Sequence, residues 1–162
     1  MELFFCPNCR SPSVQPDQCP QCGLPRNGKP DTYTEKLLAT ILSEDPTRVG
    51  MAIDVLTTWM HEPNAVVPLL HLLQSPTDAH RLVMAARGLG RLGDPAAIPA
   101  LVKVLNNPEL PFVARIASAQ ALGQLGGKVA RIALEQASHD PHLNVDRAAL
   151  EALGEMNQRG GE

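Results

Sequence analysis

Aromatic side chains are scarce in this chain, with three Phe, one Tyr and one Trp among 162 residues. Such scarcity leaves few platforms for stacking the bases of a single-stranded nucleic acid. A cationic excess is also missing. The formal net charge is −3, and no basic stripe tracks along the chain as phosphate-backbone binding requires, which argues against a nucleic-acid partner. No apolar run approaches the ~20 residues that span a bilayer. No charged and apolar leader precedes Cys6, so a cytoplasmic, reducing setting is expected and membrane insertion is not. Gly-rich phosphate loops after a strand are absent, and no serine stands beside a paired base. The five histidines are scattered, and the one close pair, His139 and His142, falls in a turn. These absences point away from an enzyme.

The four cysteines all lie near the N-terminus, as Cys6-Pro7-Asn8-Cys9 and Cys19-Pro20-Gln21-Cys22. A C-x-x-C turn lets two sulfurs converge on one ion, and two such turns supply the four soft ligands of a closed tetrahedral Zn²⁺ site. Few large apolar residues accompany them: Leu3, Phe4, Phe5, Val14 and Leu24. That is too little to bury a core, so the metal must supply the folding energy of this segment and its expected role is structural. Arg26-Asn27-Gly28-Lys29-Pro30 reads as a linker that ends the module at residue 30. The segments Phe5-Cys6-Pro7-Asn8-Cys9 and Cys19-Pro20-Gln21-Cys22-Gly23 resemble the knuckles of the zinc-ribbon family. They also resemble the shorter rubredoxin-type ribbon, which implies redox iron and an electron-transfer or redox-sensing role as the alternative. Arg10 departs from that second pattern, which wants glycine there.

From Asp31 the chain repeats itself. Leu56, Leu89, Leu122 and Leu153 anchor similar segments at spacings of 33, 33 and 31 residues. Shorter apolar runs lie between them, at 36–42, 66–73, 98–105 and 129–134, so four helix pairs are expected. Leu92-Gly93 and Leu125-Gly126 read as helix stops, and Asp94-Pro95 as an N-cap followed by a first-turn proline. Pro46, Pro76, Pro108 and Pro141 recur in the turns within the pairs. A lone pair cannot bury its apolar stripe, so stacked pairs must share one continuous core.

The run Ala85-Ala86-Arg87-Gly88-Leu89-Gly90-Arg91-Leu92-Gly93-Asp94-Pro95, with Ala119-Gln120-Ala121-Leu122-Gly123-Gln124-Leu125-Gly126, resembles the HEAT-like repeats of bacterial proteins and bilin lyase subunits. The resemblance implies an all-α fold: a short right-handed α-solenoid of about four helix pairs over 31–157, with a tail at 158–162 and the small zinc-ribbon module at 1–30. It also implies that the second helix of each pair lines the concave face. Residues two before and two after each anchoring leucine point away from the core. They read Asp54, Arg87, Gln120 and Glu151, then Thr58, Arg91, Gln124 and Glu155.

A polar ladder of this kind suits recognition of a mixed-charge protein segment. The expected function is therefore a non-enzymatic adaptor that binds a protein partner through this face. A nucleic-acid accessory and a bilin-lyase-like subunit are the further alternatives. Trp59, aligned with Leu92 and Leu125, is expected in the core, and Met51 and Met84 are expected to pack. Phe112 is expected to staple its helix. Leu150 aligns with Ile53, Ala86 and Ala119, which face a neighbouring repeat, and none follows it. That end is a candidate contact for a second copy or a partner.

Overall fold

A computed structural model describes residues 4–5, 12–13, 33–43, 45–74 and 78–159. Phe4–Phe5 (β1) pairs antiparallel with Pro12–Ser13 (β2), Phe4 opposite Ser13 and Phe5 opposite Pro12. Cys6, Cys9, Cys19 and Cys22 lie outside the described residues.

Among the described residues eight α-helices follow: α1 (Tyr33–Ile41), α2 (Pro46–Asp54), α3 (Val66–Gln74), α4 (Ala79–Leu92), α5 (Ile98–Leu105), α6 (Phe112–Leu125), α7 (Gly127–Ala137) and α8 (Leu143–Arg159). They form the four expected pairs, stacked as an α-solenoid. α8 runs to Arg159, two residues past the expected end of the repeats.

Local chemistry starts and stops these helices. Asp45 accepts hydrogen bonds from the backbone N–H of Thr47 (3.0 Å) and Arg48 (3.3 Å), and Asp78 from that of Arg81 (2.9 Å). Asp94 caps a short 3₁₀ turn, Pro95–Ala97, that leads into α5. Gly93 ends α4 in the left-handed region at φ 73°, where a Cβ would be strained.

The anchoring leucines 56, 89 and 122 are fully buried, as are Leu69, Leu101 and Leu134 of the first helices, while the fourth anchor, Leu153, is partly buried. Second helices pack on one another more extensively than first helices do. Their seam is built from small residues. A Cβ on Gly90 would lie 3.0 Å from Ala121 Cα, and one on Gly123 would lie 2.7 Å from Ala152 Cβ. At the equivalent Gly154 nothing stands within 4 Å, and Leu150 is 54% exposed. Among the described residues nothing covers this stacking face of the last pair.

Two expectations fail in the first pair. Trp59 is not core but 82% exposed. The cause is a π-helical turn, Val55–Trp59, which continues α2 and places the Met60 N–H on the Val55 carbonyl at 3.0 Å. Such a turn takes in one extra residue, so everything after it is rotated on the helix surface. The repeat offset to the second pair therefore drops from 33, for Leu56 and Leu89, to 32, for Pro63 and Pro95. Trp59 consequently stands where Arg91 stands, on the solvent side. His61 takes the left-handed role of Gly93, at φ 47°. The second failure is Met51, which is 66% exposed although its counterpart Met84 is partly buried. Met84 packs towards Gly50 of the preceding pair, and no described pair precedes Met51.

Candidate functional site

The eight ladder positions lie on α2, its π turn, α4, α6 and α8, at the same register in each pair except for Thr58, which the π turn shifts out of the register of Arg91, Gln124 and Glu155. Asp54 is half-buried and the other seven are exposed. The structure brings four of them together: Arg87, Arg91, Gln120 and Gln124 line a depression of about 220 Å³ floored by Ala117 and Ala121. Alanines at those two positions let α4 and α6 approach while the longer side chains close around the opening. Glu151 and Glu155 stand on the last helix, outside that depression.

The two arginines are not equivalent. Arg91 donates from Nη1 to Asp54 Oδ1 at 2.7 Å and to Thr58 Oγ1 at 3.2 Å. It therefore ties the second pair to the first. The pair is exposed on both sides, so its contribution to stability is small. Arg87 makes no ion pair or hydrogen bond among the described residues. Its five donors are available, and the amides of Gln120 and Gln124 add neutral ones beside it. The site is thus suited to accept a carboxylate.

Trp59 belongs to the same face, because the π turn carries it into the Arg91 register. Sequence alignment at a constant offset misses it. The signal that finds it is the shorter spacing of Pro63 to Pro95.

A second group of polar residues, also missed, is structural. Arg115 of α6 replaces the buried apolar residues found at the equivalent positions, Val49 and Leu82. Its Nε donates to the Leu105 carbonyl at 2.8 Å, and its Nη2 pairs with Asp140 Oδ2 in the turn before α8. Their side chains are 8% and 11% exposed. Asp140 Oδ1 also accepts the His142 N–H at 2.9 Å. Desolvation raises the Asp140 carboxyl, but the Arg115 hydrogen bond, the His142 N–H and the charges of both residues outweigh it and hold the pKa below the usual carboxylate value.

Phe112 staples its helix in an unexpected way, by stacking on the His142 ring at 4.5 Å. His139 turns instead to the Glu135 carbonyl at 3.2 Å. The two histidines therefore do not converge, and no group of three potential metal ligands occurs among the described residues. No helix among the described residues is long and apolar enough to cross a membrane.

Residues 34–117 and 66–154 match the family described as HEAT repeats. The chain belongs to that family. Among solved structures it is similar to human deoxyhypusine hydroxylase in complex with glycerol. The TM-score is 0.70 at 23% identity, over 84% of this chain and 46% of that one. It is also similar to the complex of CpcE and CpcF of phycocyanin lyase from Nostoc sp. PCC7120. There the TM-score is 0.67 at 29% identity, over 83% of this chain and 57% of that one. This chain spans about half the length of those it matches. No curated protein matches it.

Proposed function

We propose that this HEAT-repeat chain is a non-enzymatic adaptor whose inner helical face binds an acidic segment of a partner protein. The observation that carries the reading is Arg87, which has no partner among the described residues and lines the α4–α6 depression with Gln120 and Gln124. A partner carboxylate would be held by the Arg87 fork, with the two amides completing its hydrogen bonds. Trp59, exposed on the same face, would supply the apolar anchor that such interfaces concentrate their energy in. Asp54, Glu151 and Glu155 would discriminate against a uniformly acidic partner by repulsion.

Tagged co-purification from the native cells tests this, with quantitative mass spectrometry of what is retained. Arg87→Glu and Trp59→Ala should each deplete the same protein by about tenfold or more while helical circular dichroism stays unchanged. Retention of every prey by both variants would sink the groove assignment. Arg91 is the wrong residue for the first test, since Arg91→Glu would also set two carboxylates against each other at Asp54.

The similarity to CpcE and CpcF favours a second reading, a lyase-type subunit that works within a complex. Capture of a bilin-carrying protein in the same experiment would select it.

The N-terminal module is proposed to hold a structural Zn²⁺ through Cys6, Cys9, Cys19 and Cys22. β1 and β2 bracket the first C-x-x-C, as a knuckle at a hairpin requires. Cys19→Ser with Cys22→Ser should release the metal and leave the helical signal intact. Iron in place of zinc would show as visible thiolate-to-iron absorption of the wild type and would support the redox alternative.

A further inference from the structure

A second cavity, of about 450 Å³, opens where the end of α6, the start of α7 and the last turn of α8 meet. Three cationic side chains line it: Lys128 and Arg131 from α7, three residues apart on one helix face, and Arg159 from α8. Leu125 and Met156 add apolar surface. The volume is in the range of small-ligand sites.

The three cations are differently committed. Arg159 donates to the Gly123 carbonyl at 2.8 Å and the Gln124 carbonyl at 3.2 Å, closing the C-terminal end of α6. Its guanidinium also stands 3.5 Å from Glu155, which offsets one charge. Its Nε donates to the Glu155 carbonyl at 3.4 Å, so most of its donors are committed within the protein. Lys128 and Arg131 make no ion pair or hydrogen bond among the described residues. Two positive charges are thus uncompensated around one concavity, in a chain whose formal net charge is −3. Gly126 and Gly127, at φ 71° and 88°, leave the floor without side chains, so an anion can approach the backbone closely. Since Gly126 offers α7 no side-chain cap, first-turn amides add donors to what the cations already supply.

We propose that this cavity binds a phosphate dianion carried by a small phosphate ester. A monocarboxylate would leave one of the two spare charges unmatched, whereas a phosphate presents two charges and three oxygens to the Lys128 ammonium and the Arg131 fork.

Isothermal titration of the full chain at low ionic strength tests the site, with inorganic phosphate and adenosine monophosphate as the probes. Both should bind saturably at one site and displace each other. Tighter binding of the ester identifies a phosphate ester as the occupant, and equal affinity identifies free phosphate through the same dianion chemistry. Lys128→Gln with Arg131→Gln should weaken both by about tenfold or more, with unchanged circular dichroism because neither side chain has a partner to lose. The Arg87→Glu variant should bind phosphate as the wild type does, so this site and the inner face stand or fall separately. Absence of saturable binding, an unchanged affinity in the double variant, or the same response to sodium chloride at matched ionic strength would overturn the proposal.

Discussion

Asp140→Ala should lower the free energy of unfolding by about 3–5 kcal/mol, the usual cost of stranding one member of a buried ion pair. The reason lies in what Arg115 would be left with. Its guanidinium is almost entirely out of water, and after the substitution only the Leu105 carbonyl would answer it. The turn before α8 would also lose its acceptor for the His142 N–H. Urea unfolding followed by circular dichroism measures the effect, and a loss below about 1 kcal/mol would show that solvent reaches the pair.

The same carboxylate has a pH signature. Its folded pKa lies below the unfolded value of about 3.9, so its contribution is complete above about pH 5 and is lost as pH falls through the folded pKa. His71 acts in the same direction by another route. Burial holds its pKa below 6.5. The unfolded chain therefore takes up that proton first, and stability declines as pH falls below about 6.5. Asp140→Asn should remove the lower of the two phases and leave the upper one.

Gly123→Val should be similarly damaging, by about 1–3 kcal/mol or more, because overpacking a rigid contact forces the backbone to move. The first carbon added would already lie 2.7 Å from Ala152 Cβ and 3.1 Å from its Cα. Ala152 cannot rotate away. Gly154 supplies the internal control, since it holds the equivalent place one pair later with nothing within 4 Å. Gly154→Ala should therefore raise stability by up to about 1 kcal/mol, the helix-propensity difference alone. Thermal unfolding of the two variants side by side decides the matter. Equal shifts would refute the seam.

The four pairs were readable from the recurrence of Leu56, Leu89, Leu122 and Leu153, because a stacked repeat needs an apolar residue at the same core-facing position in every copy, even in the last, where Leu153 is only partly buried. Gly93 and Asp94 were readable for a local reason, since cap chemistry depends on neighbours in sequence. The π turn at Val55–Trp59 was not. It contains neither glycine nor proline, and only a one-residue change in repeat length betrays it. That is why Trp59 looked like core. Arg115 and Asp140 were hidden differently, as partners 25 residues apart that meet only when the third and fourth pairs stack. The ladder on α4 and α6 was visible as a polar row, but which arginine is spoken for depends on Asp54, a contact between pairs. The cavity at Lys128 and Arg131 is made by three helix ends, and no periodicity in the sequence marks where ends converge.

The glycine and alanine contacts between α4, α6 and α8 also have a mechanical meaning. Backbones that touch at Gly90–Ala121 and Gly123–Ala152 have little slack, so the edge formed by the second helices behaves like a cord of fixed length. The layer of first helices, α3, α5 and α7, is joined more loosely. When a load is applied, the stack should bend by fanning its first helices about that cord, and the spacing between Arg87, Gln120 and Glu151 along the second helices should scarcely change.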